Sequence, residues 1–160
     1  MSDQKTIHEI EQEIVEEFSL FDSWEEKYEY IIDLGKKLPP LEEEHKIDEN
    51  KVRGCQSTVW LVAEYRDGNV FYKAESDAVI VKGLISMLIR VLSGQSPEQI
   101  IQARLNFIQE IGMTTHLAQT RSNGLLSMVK QMKSFALAYK IKNSAISNDH
   151  GYRNAEAKNN

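Results

Sequence analysis

Cysteine is almost absent from this sequence: Cys55 stands alone among 160 residues. No intramolecular disulfide framework can form, and no structural zinc site can be built wholly from the thiolates of this chain. His8, His45, His116 and His150 lack the close spacing of zinc ligands, so no metal site is expected. No glycine-rich turn joins a strand to a helix, which argues against a doubly wound nucleotide fold. Basic charge is also short, with 19 Lys and Arg against 24 Asp and Glu. The resulting net charge of -5 gives no electrostatic support for nonspecific nucleic-acid binding. Long hydrophobic runs are missing too, since Lys82 and Arg90 interrupt the densest stretch, residues 78–92. That stretch falls short of the roughly 18 apolar residues of a membrane span. Acidic residues from Asp3 to Glu17 occupy the place where a signal peptide would carry its apolar segment. The expected location is the cytoplasm, away from membranes.

What is present reads as one domain of about 141 residues, with residues 142–160 polar, aperiodic and expected to form a flexible tail. Thr6 with Glu9, and Ser23 with Glu26, mark two helix starts, and Ile7, Ile10, Ile14 and Phe18 follow the first at helical spacing. Pro39 and Pro40 stop the second helix. The period then changes: Val59, Leu61, Ala63 and Tyr65 alternate with their neighbours, Asp67-Gly68 supplies a tight turn, and Val70 to Tyr72 returns. An antiparallel hairpin is predicted there. Asp77 is positioned to cap a central helix whose buried stripe is Ile80, Leu84, Met87, Leu88 and Val91. Ser96-Pro97-Glu98-Gln99 opens a short helix, and a long final helix is expected after Gly124. The fold class is α+β, a small antiparallel sheet packed against several helices.

Cys55 falls in the loop before the hairpin, and two readings of it are open. Unreactive cysteines are common in cores. Alternatively, Gly54 frees the backbone, and Arg53 and Lys51 would favour a thiolate if their charged heads approached the sulfur. A cysteine hydrolase would further need a positioned base, for which His45 and His116 are the candidates.

Several separated segments resemble the SufE family, including the related CsdE proteins. They are Trp24-Glu25-Glu26-Lys27-Tyr28, Val52-Arg53-Gly54-Cys55-Gln56-Ser57 with Val59-Trp60, Ser76-Asp77-Ala78, and Arg121-Ser122-Asn123-Gly124-Leu125. The resemblance implies a sulfur acceptor that binds no cofactor itself. Its partner would be a PLP-dependent cysteine desulfurase, SufS-like or CsdA-like, and the PLP would belong to that partner. Cys55 would take up the persulfide sulfur, stimulating the desulfurase, and pass it toward a SufB-type scaffold or another acceptor. Arg53, Gly54 and Gln56 would frame the cysteine, while Asp77 and Arg121 would organise the loop or contact the partner.

Overall fold

The computed structural model describes the backbone of residues 4–116 and 119–158, with side chains described for 4–116 and 124–144. Helix α1 (Ile7–Ser19) begins where Thr6 accepts a hydrogen bond from the Glu9 N–H, at 3.1 Å. Helix α2 (Trp24–Lys36) begins the same way, with Ser23 accepting from Glu26 N–H at 3.2 Å. Each cap satisfies an N–H that the first helical turn leaves without a partner.

Strands β1 (Val59–Arg66) and β2 (Asn69–Ser76) form a two-stranded antiparallel sheet in the register Val59 to Ser76 through Arg66 to Asn69. Asp67 and Gly68 both take positive φ, 54° and 82°, as a primed two-residue turn requires. Two isolated bridges extend the pairing: Lys51 lies against Trp60 on the open side of β1, and Gln95 against Val70 on that of β2.

Helix α3 (Val79–Leu92) covers the hairpin and buries Leu84, Met87, Leu88 and Val91 of the expected stripe together with Ile85 and Leu92, while Ile80 is only partly buried. It crosses α2 at a pair of glycines. A Cβ on Gly35 would stand 2.7 Å from the Gly83 amide nitrogen, and one on Gly83 would run into Ile31. The two backbones can approach this closely because neither residue has a side chain. Arg90 ties α3 to α1, donating to both carboxylate oxygens of Glu17 at 2.8 and 2.9 Å and to Glu13 at 3.2 Å. Three short helices follow: α4 (Pro97–Gln102) with the Ser96/Gln99 capping box, α5 (Phe107–Glu110) and α6 (Met113–His116).

Helix α7 (Gln119–Lys158) closes the domain over the hairpin. Tyr72 of β2 donates to Met132 O at 2.6 Å, and Tyr139 donates to Ala63 O at 3.1 Å. Two expectations change here. The helix starts at Gln119 rather than after Gly124, which makes Gly124 an interior helical position. Its backbone also remains helical from Lys142 to Lys158, where the polar composition predicts a loose tail. No proline follows Pro97, so nothing in this stretch forbids propagation of the helix already nucleated by packing.

Candidate functional site: the cysteine loop

Residues 53–58 leave and rejoin the sheet at one point, where Val52 N–H donates to Val59 O at 2.8 Å. The outgoing arm is clamped. Asp77 Oδ1 accepts from Thr58 N–H at 3.1 Å, Thr58 O accepts from Ser76 Oγ at 2.8 Å, and the Asp77 N–H also points to Thr58 O at 3.3 Å. Asp77 therefore does not cap α3, which starts behind Ala78 without a side-chain cap. Its carboxylate is turned to the other neighbour available at the strand end, the loop that carries the cysteine.

Gly54 lies in the left-handed region at φ 90° and rests on α7, where an added Cβ would meet Ser127 Oγ at 2.5 Å. That turn directs Cys55 and Arg53 to different cavities. Cys55 is half-buried, and its Sγ lies 3.5 Å from Gly124 O, the geometry of a weak S–H donor to a helix carbonyl. Gly124 permits this close approach: with no side chain, it lets the loop lie on the helix, and its missing Cβ position is 3.6 Å from the sulfur. Around Sγ opens a cavity of about 400 Å3 lined by Val59, Val81, Leu84, Ile85, Leu88, Leu125 and Met128, with Gln56 and Ser57 at the loop side. Arg53 is exposed and lines a second, polar cavity of about 470 Å3 together with Lys51, Ser127 and Lys130.

The electrostatics of the sulfur follow from this placement. Burial pushes the Cys55 thiol above its ordinary range, because apolar surroundings disfavour the thiolate. The expectation that Arg53 and Lys51 would favour a thiolate is not met: Arg53 lines the other cavity, and Lys51 pairs with Asp48 at 3.0 Å. Neither candidate base hydrogen-bonds Cys55 among the described residues. His45 faces Glu42 and Glu44 at 3.9 and 3.8 Å, and His116 stacks on Trp24 at 4.0 Å. The arrangement seats the sulfur where burial opposes the thiolate, with neither histidine paired to it among the described residues.

Of the residues singled out in the sequence, Cys55 and Gln56 line the cysteine cavity, Gly54 forms the turn, and Asp77 clamps the loop. The backbone of Arg121 lies in the first turn of α7, while its side chain lies outside the described residues. Sequence reasoning missed the contribution of α7, namely Gly124, Leu125, Met128 and Ser127. The local signals were Gly124 itself, since a glycine marks a close approach as readily as a helix start, and its place in the Arg121–Leu125 segment. Among the described residues no cluster of three His, Cys, Asp or Glu side chains could hold a metal ion, and no helix is long and apolar enough to cross a membrane.

A lone cysteine on a glycine-turned loop, seated between a two-stranded hairpin and helices on both sides, defines a small α+β domain built around one thiol. The chain belongs to the SufE family, the Fe-S metabolism associated domain, which matches residues 12–136. It is 40% identical over 129 residues to an uncharacterized SufE-like protein of Rhizobium meliloti, covering 78% of this chain and 92% of that protein. A SufE-like protein of Synechocystis is 40% identical over 128 residues, covering 80% of each. The chloroplastic/mitochondrial SufE-like protein 1 of Arabidopsis thaliana is 39% identical over 144 residues, covering 88% of this chain and 39% of that longer protein. The fold is shared with the solution structure of a hypothetical protein from Thermus thermophilus, at a TM-score of 0.67 and 20% identity over 81% of this chain and 94% of that one.

Proposed function

We propose that Cys55 is a sulfur acceptor that receives sulfane sulfur from the cysteine persulfide of a PLP-dependent cysteine desulfurase and carries it toward iron-sulfur cluster assembly. The Cys55 thiolate attacks the terminal sulfur of the donor persulfide. A sulfur–sulfur bond forms at Cys55 Sγ as the donor's sulfur–sulfur bond breaks, and the electron pair leaves with the donor thiolate. The Cys55 proton is lost to solvent or to the departing thiolate, and no oxidant or reductant is consumed. Taking the product away from the donor relieves the desulfurase of its bound sulfur, which is how the acceptor stimulates turnover. This chain contributes the acceptor thiol, the pocket and the docking surface, while the PLP stays on the donor.

The observation that carries the reading is the position of Sγ at the wall of an apolar cavity, half-buried and hydrogen-bonded to a helix carbonyl. A persulfide stored there is kept from stray thiols, and the burial that raises the thiol pKa keeps the empty carrier unreactive until the loop is drawn out. Arg121, on the first turn of α7, and Asp77, on the loop clamp, are proposed to shape the loop or meet the partner. SufS-like and CsdA-like donors, and SufB-type or other acceptors, are the pathway alternatives within this reading, and the cytoplasm is the proposed compartment.

Intact-mass measurement after incubation with purified desulfurase and L-cysteine tests it. One added sulfur on the wild-type chain and none on a folded Cys55→Ser variant is expected. Sulfur retained by the serine variant refutes the site; turnover of substrate without the desulfurase identifies an enzyme instead.

A further inference from the structure

Charge is unevenly distributed along this chain. Residues 111–148 contain no Asp or Glu and five cations, Arg121, Lys130, Lys133, Lys140 and Lys142, although the whole chain is at -5. Most of that stretch is α7, and one face of the helix is left open to solvent. Leu126 is 65% exposed, Leu137 48% and Ile141 60%, and these positions recur on one side of the helix with Lys130 and Lys133 between them. Three large apolar side chains along about 22 Å of one helix make a stripe, not scattered single exposures. Beside it, Ile101 of α4, Val129 and Leu137 line an apolar groove that Lys130 and Lys133 rim. The groove shares Lys130 and Ser134 with the polar cavity that contains Arg53, so the surface runs without a break to the base of the cysteine loop.

Two of its cations are available to a partner. Lys133 donates to Ala103 O, and Lys140 pairs with Glu98 at 2.5 Å. Arg53 and Lys130 have no carboxylate within ion-pair distance among the described residues, although other cations of this acidic protein find one. We infer that this face of α7, with Arg53 at its end, docks an acidic amphipathic segment of the sulfur-donating protein, apolar side chains in the groove and carboxylates on Lys130 and Arg53. The inference rests on the acceptor reading above. A second copy of this chain fits less well, because a two-fold antiparallel pairing of α7 centred between Lys130 and Lys133 would bring these cations of one copy against those of the other, and like charges repel. An anionic membrane is disfavoured by the overall charge of -5. The position serves transfer: a segment held here lies against the helix on which Gly54 rests, so docking delivers the donor to the turn that must move.

The test uses full-length Lys130→Glu and Leu137→Asp variants, both at exposed positions outside the cysteine site. Binding is measured by titration calorimetry against PLP-loaded desulfurase whose own transferable cysteine is replaced by alanine. Each variant should weaken binding at least 10-fold, with Cys55 alkylation of the free protein unchanged, and added salt should weaken the wild type more than Lys130→Glu. Sulfur uptake should recover when the variant concentration is raised. Wild-type affinity in both variants, with sulfur uptake intact, overturns the docking face and leaves the acceptor reading standing. A wild type that neither binds the desulfurase nor takes up sulfur overturns the acceptor reading and the docking face with it. A wild-type dimer that the same substitutions dissociate, or phosphatidylglycerol vesicles that bind the wild type alone, would assign the face to another occupant and overturn the inference.

Discussion

Replacing Gly54 with alanine should open the cysteine loop. At φ 90° an alanine carries backbone strain of about 1–3 kcal/mol, all of it in the resting loop, since a released loop can choose an ordinary φ. The released loop in turn loses about 0.4–1 kcal/mol of backbone freedom when glycine becomes alanine, which opposes opening. The new methyl would also stand 2.5 Å from Ser127 Oγ, so the hydroxyl must shift to admit it, which adds to the strain of the seated loop. The net bias toward the open loop is on the order of 1–2 kcal/mol, or about 5- to 30-fold in its population. Where alkylation proceeds through that open population, the pseudo-first-order rate of Cys55 with iodoacetamide should rise by the same factor at fixed pH. Gly68→Ala supplies the control. It imposes comparable strain at φ 82° in the hairpin turn, where an added Cβ meets nothing within 4 Å, so it should lower the melting temperature without changing Cys55 reactivity. Equal alkylation of Gly54→Ala and wild type, or equal acceleration by Gly68→Ala, would refute the assignment of Gly54 as the turn that seats the sulfur.

Asp77→Ala removes the acceptor for Thr58 N–H and should cost about 1 kcal/mol in urea unfolding while raising Cys55 alkylation; Asp77→Asn keeps an oxygen at that place and should retain most of both properties. Cys55 alkylation in the free protein should titrate at higher pH than a small unhindered thiol, and a midpoint at or below the ordinary thiol value would contradict burial of the sulfur. Glu11 is buried on α1, and that burial holds its carboxyl above the ordinary value of 4.5 despite His8 nearby. The native state thus binds the proton more tightly than the unfolded chain, a stabilisation complete below the unfolded value and lost as pH rises through the folded one. Glu11→Gln should therefore melt higher than wild type at pH 8 and lose that advantage near pH 4; an advantage independent of pH would point to another cause. Removal of residues 145–160 should leave sulfur uptake unchanged, and a large fall in melting temperature would show that this part of α7 packs on the domain.

Elements decided by neighbours in sequence were legible in the sequence. Thr6, Ser23 and Ser96 cap helices through residues three positions on, and Asp67-Gly68 meets the φ demands of its turn whatever surrounds it. Asp77 was misread because a cap and a loop clamp use the same carboxylate, and only the nearness of Thr58 across the strand end decides between them. The state of Cys55 was harder still. Arg53 and Lys51 flank it in sequence, yet the turn at Gly54 sends the cations one way and the sulfur the other, so desolvation prevails over charge. Gly124 could be read as a helix boundary or as a contact, and its partner is 69 residues away.

The bridge between Lys51 and Trp60 bears on how far the loop can move. A two-stranded sheet has two open edges, each a row of unpaired N–H and C=O groups that invites another chain. Gln95 masks part of one at Val70, and the segment leading into the cysteine loop masks part of the other, through Lys51 at Trp60 and Val52 at Val59. If the whole loop peeled away to present its sulfur, β1 would be bared each time the carrier was loaded or emptied, and strand-to-strand aggregation would compete with delivery. Movement confined to residues 53–58 avoids this, since the cover at 51–52 stays in place while the tip swings. On the proposed reading, a carrier that moves only this tip exposes no more of its sheet edge when it presents sulfur than when it shelters it.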